Sequence, residues 1–208
     1  MALKGLSRAI SYWLHQKQAR QEDEPNQCIE EDEDATYGMC IGDDEHCQDT
    51  GEEEHNRQID YIVIHRITVE EAAGLPDDRI GLTEFFTNHP DGIAATGGQF
   101  PYHFLVLEDG DIEQMEPTDV VTPHVARWNK VAIGIGVVGD FRKKQLGDIQ
   151  KYTLFQLCCS LLERFPDATL VGHGQLKGGS RHPNKVCPGS GINVLALGEA
   201  AAAYMRIS

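Results

Sequence analysis

Two short apolar runs end in histidine, "YIVIH" at 61–65 and "TLVGH" at 169–173, and a cysteine, Cys187, follows the second in "NKVCPG". Each run is rich in β-branched and aliphatic residues and reads as a buried strand. If the two strands run parallel, His65 and His173 share one edge of a sheet, the C-terminal edge where open α/β sheets build their sites. Cys187 lies on a loop able to turn back to that edge. Two imidazoles and one thiolate make three ligands and leave a fourth tetrahedral position to water, the ligand number of a catalytic zinc. Nitrogen and sulfur donors suit zinc better than magnesium or calcium, which take oxygen. His182, in "GGSRHP", competes with His173; His173 is favoured because a strand end fixes the direction of its side chain.

The elements that must position these residues are readable around them. "DYIVIH" at 60–65 and "ATLVGH" at 168–173 are strands, and "AIGIGVVGDF" at 132–141 is a central strand whose glycines permit close approach of other groups. "IGLTEFFTNH" at 80–89 has helical spacing and stops before Pro90, and "DGIAATGGQFP" reads as a glycine-rich loop. "YHFLVLEDGDIEQME" is a hairpin about an Asp-Gly turn. "DIQKYTLFQLCCSLLERFP" at 148–166 and "INVLALGEAAAAYMRI" are helices, with Cys158 and Cys159 packing as small apolar residues in the first. The expected fold is α/β: a central mixed β-sheet flanked by helices, a zinc site at the C-terminal edge of the strands, and an N-terminal extension outside the domain.

Charge defines that extension. The 208-residue chain carries a formal charge of −15, which argues against nucleic acid as a partner. Residues 1–58 hold 5 Lys+Arg against 15 Asp+Glu. Within them, 1–20 is basic, with Leu3, Leu6, Ile10, Trp13 and Leu14 on one helical face, and reads either as a surface that meets a membrane or a protein partner or as a short helix folding back. Residues 21–58 are acidic and poor in core formers, a composition that predicts a disordered linker. Cys28, Cys40 and Cys47 in that linker match no common zinc spacing. Residues 59–208 form the single folded domain, expected to act as a monomer.

At this point the motifs carry a resemblance. "VIH" on the first strand, "YHFLVLEDGDIEQ", "PHVARWNKVAIGIGVVGDF" and "VGH…NKVCPG" come in the order and spacing of the zinc-dependent N-acetylmuramoyl-L-alanine amidases, the group that includes bacteriophage lysozyme-type amidases and animal peptidoglycan-recognition proteins. The resemblance implies zinc on His65, His173 and Cys187, a catalytic tyrosine at Tyr102 and a catalytic lysine at Lys185. It places His124 and Asn129 along the substrate groove. Members that only bind peptidoglycan typically lack the cysteine, so Cys187 favours an enzyme. Arg66, where small polar residues are more usual, is expected to contact an acidic part of the substrate.

The implied reaction is zinc-dependent hydrolysis of the amide between N-acetylmuramic acid and L-alanine. The alternatives are a peptidoglycan-binding module without turnover, or a zinc hydrolase of another acyl-amino acid amide. No stretch has the uninterrupted apolar core of a signal peptide. The expected site of synthesis is therefore the cytoplasm, with action on the wall after release or delivery, or on cytoplasmic wall fragments.

Overall fold

A computed structural model describes residues 57–68, 73–176 and 187–207. The basic and acidic segments before residue 57, with Cys28, Cys40 and Cys47, and also His182 and Lys185, lie outside the described residues.

Five strands form one mixed sheet in the order β3-β2-β4-β1-β5. They are β1 (Tyr61–Ile67), β2 (Phe104–Val106), β3 (Ile112–Gln114), β4 (Ala132–Val138) and β5 (Thr169–Gly172). β1 pairs in parallel with both β4 and β5, and β2 pairs in parallel with β4. Only β3 is antiparallel, joined to β2 by the expected Asp-Gly turn, in which Gly110 takes φ +91°. β4 lies in the middle and is buried along its whole length, which is why its sequence is apolar on both faces rather than alternating.

The described helices are α1 (Arg79–Asn88), α2 (Pro90–Thr96), α3 (Asp148–Arg164) and α4 (Val194–Ile207). None among the described residues is long and apolar enough to cross a membrane. One face of the sheet presents Ile62, Ile64, Phe104, Ile133, Ile135 and Val137 to Leu154, Leu157, Cys158 and Leu161 of α3. Each such side chain, fully withdrawn from water, contributes roughly 1.5–3 kcal/mol. This layer makes the sheet a rigid platform. The opposite face, with Val63, His65 and the β4 glycines, is left to build the site.

The expected loop after α1 is instead the helix α2. His89 ends α1 and starts α2: its backbone N–H donates to the carbonyls of Glu84 and Phe85, while its Nδ1 accepts from the Asp91 N–H at 3.3 Å. Pro90 occupies the first turn, where its missing N–H costs nothing, and Gly97 closes the helix at φ +74°. The first helix thus stops before Pro90 as expected, and Pro90 opens a second one. Gly97 and Gly98, which suggested a loop throughout, lie only at its exit.

Candidate metal centre and its cavity

The parallel pairings bring the two strand-end histidines together. His65 on β1 stands opposite Gly136 of β4, and Gly172 of β5 stands opposite Ile64. The chain turns immediately after Gly172 into a single 3₁₀ turn, His173–Gln175, so His173 flanks His65 with 4.6 Å between ring centroids. The Gly172 N–H donates to Gln175 Oε1 at 2.6 Å and fixes that turn. Cys187 is held to it through the backbone, the Gly174 N–H donating to the Cys187 carbonyl at 2.8 Å. Gly172 is needed for this approach, because a β-carbon there would lie 2.8 Å from Pro188 Cδ.

One ligand atom each from His65, His173 and Cys187 lies within 4.8 Å of the other two. Tetrahedral zinc places such atoms roughly 3.5 Å apart, so a contraction of about an ångström would close the set around an ion. The donors, two imidazoles and a thiolate, fit zinc and leave one coordination position open. They sit in a cavity of about 340 Å³, also lined by Arg66, Phe86, Thr96, Tyr102, Pro123 and His124.

Tyr102 reaches the centre because β4 makes room for it. A β-carbon on Gly136 would come within 2.9 Å of the Tyr102 ring, whose centroid lies 5.0 Å from that of His65. Burial, with Cys187 nearby, holds the phenol above its ordinary range despite Arg66, so it stands as a protonated donor. The next side chain, His103, just ahead of β2, is turned instead to main-chain groups of β4 and of the loop before it. Its Nδ1 accepts from the Gly134 N–H at 3.0 Å and its Nε2 donates to the Val120 carbonyl at 2.9 Å.

Arg66 lines the cavity mouth and pairs with Asp140 at 3.4 Å. The Asp140 carboxylate also accepts from Arg142 at 2.8 Å, and these hydrogen bonds hold it well below the usual range. His124 is 7% exposed and borders the cavity, with Nδ1 facing His65 Nε2 at 3.1 Å. Asn129 is not among the lining residues. Its Oδ1 accepts from the Val125 N–H at 2.7 Å and ties the loop that carries His124.

Sequence reasoning passed over Arg57, which it left in the acidic linker. Its guanidinium donates to the carbonyls of Thr118, Val120, Asn129, Lys130 and Ala132, joining the start of the domain to the loop before β4. The available signal was that Arg57 is the one basic residue between 21 and 58 and stands just ahead of the first strand.

The family model for N-acetylmuramoyl-L-alanine amidase matches residues 55–190, and the chain belongs to that family. Among curated proteins none matches. Similar solved structures include the endolysin LysCS, an N-acetylmuramoyl-L-alanine amidase from Clostridium intestinale, at 21% identity and TM-score 0.54, covering 74% of this chain and 88% of that one. The Ph2119 endolysin of a Thermus scotoductus bacteriophage gives 25% identity and TM-score 0.54, covering 69% and 85%. Drosophila PGRP-LB, a mutant solved in complex with tracheal cytotoxin, gives 17% identity and TM-score 0.50, covering 65% and 78%.

Proposed function

We propose that the protein is a zinc-dependent amidase that cleaves the bond between N-acetylmuramic acid and L-alanine in peptidoglycan or its fragments. The observation that carries this reading is the meeting of His65, His173 and Cys187 within 4.8 Å at the floor of an open cavity. Zinc held by these three would supply a water whose pKa is lowered to about 7 and a Lewis acid for the amide carbonyl. The chain's own groups do the rest. Tyr102, protonated and beside His65, donates a hydrogen bond at the reacting centre and orients the nucleophile. Lys185, two positions before Cys187, brings fixed positive charge to the carbonyl oxygen as negative charge develops there. Arg66, kept at the mouth by Asp140, meets a carboxylate of the stem peptide. The tracheal cytotoxin bound by the PGRP-LB mutant supports a muropeptide as the occupant of this cavity.

The purified protein should carry one zinc per chain and release free L-alanine amino termini from cell wall. Cys187→Ser should lose most of the zinc and the activity together. A Cys187→Ser protein with full zinc and full turnover would overturn the ligand set. Zinc and peptidoglycan binding in the wild type with no new amino termini would make the protein a recognition module instead.

A further inference from the structure

His124 does more than line the cavity. Its Nδ1 lies 3.1 Å from Nε2 of His65, and its Nε2 lies 3.4 Å from the carbonyl oxygen of Ala132. A carbonyl oxygen can only accept, so the proton on that side belongs to His124 Nε2. Between the two rings only one proton can sit. Were it on His124, that ring would be a cation, 7% exposed, sharing the Ala132 carbonyl with the Arg57 guanidinium and facing the rings of His103 and His65, with no carboxylate among the described residues that line the cavity. Burying such a charge unpaired is costly. The proton therefore belongs to His65 Nε2, which donates to His124 Nδ1. That leaves His65 Nδ1 as the only lone pair of that ring able to take a metal.

We propose that His124 is a positioning residue for the metal centre: it carries the polarity of the Ala132 carbonyl to His65 and holds His65 in the tautomer and orientation that present Nδ1. The inference rests on the reading of His65 as a zinc ligand. Gly134 is part of the device. It stands on β4 beside Val63 of β1, and a β-carbon there would come within 2.7 Å of the His124 ring, so glycine is what lets that ring approach the strand so closely.

Substitution and ring-nitrogen spectroscopy test this together. His124→Asn keeps an acceptor near the place of Nδ1, whereas His124→Phe keeps bulk and removes it. Zinc affinity, measured by chelator competition, should fall about 10–100-fold in His124→Phe and recover most of that in His124→Asn, the size expected for loss of an outer partner of a metal ligand. Long-range proton–nitrogen correlation on the wild-type zinc protein needs no variant to fold. It should show His65 protonated at Nε2 and metal-shifted at Nδ1, with His124 protonated at Nε2. Zinc on His65 Nε2, or wild-type affinity in a folded His124→Phe, would overturn the role of His124 while leaving the ligand set standing. Wild-type zinc affinity in His65→Ala would overturn the ligand set, and this inference with it.

Discussion

At the scale of single residues, the three positions that meet at the candidate metal centre were the most legible part of the chain. A histidine at the end of an apolar run has a direction set by the strand, and two such runs with a nearby Cys-Pro-Gly allow few arrangements. Tyr102 was legible through its place between the loop and the hairpin. The role of His124 was not, because it depends on which face of β4 lacks side chains and on a carbonyl eight residues along the chain, and neither is visible as a motif. The structural use of Asn129 was hidden for a related reason: a polar residue in a loop is as readily used to bind the loop's own backbone, here the Val125 N–H. Lys185 is open to a sharp test. If it meets charge that exists only in the transition state, Lys185→Ala should lower kcat about 10²–10³-fold while zinc and peptidoglycan binding stay normal. Raised KM with kcat intact would instead mark a substrate-carboxylate contact.

At the scale of elements, the sheet was readable because its strands carry their own signals of β-branched content and turn chemistry. The helix α2 was not, because seven residues with two glycines at the exit look like a loop until Pro90 is recognised as a first-turn residue. The element that decides the site is β4. Its glycines on the site face accept two rings, His124 over Gly134 and Tyr102 over Gly136, which both stand against His65. Gly136→Ala should therefore injure the chemistry more than the fold. A methyl group 2.9 Å from the Tyr102 ring must push it aside, so turnover should drop at least tenfold with zinc content unchanged, measured on a soluble muropeptide. Wild-type kcat in this variant would remove Tyr102 from the reaction.

At the scale of the whole molecule, stability should fall in mild acid. Burial pushes the His103 imidazole down to about 4 from its ordinary 6.5, although its bond to the Val120 carbonyl opposes the shift. The unfolded chain then binds a proton that the folded chain refuses, so stability is fully present above pH 6.5 and is lost as the pH falls towards 4. At pH 5 the loss from this group is about 2 kcal/mol, to be read as a lower denaturant midpoint in metal-free protein than at pH 7; a flat profile across that window would contradict the buried neutral ring. The domain's edge was the least legible feature at this scale, because a single arginine in an acidic stretch gives no hint of what it will fill. Arg57 grips the segment from 118 to 132 through five main-chain oxygens, with the Asp119 charge in support. Asp119 apart, that hold does not depend on which side chains the segment carries. Positions such as Val120 and Lys130 are free to drift over generations without loosening it, whereas lysine at 57, a point charge with three donors, cannot span the same five oxygens. The wall bearing His124 thus keeps its shape while its outer sequence remains open to adaptation.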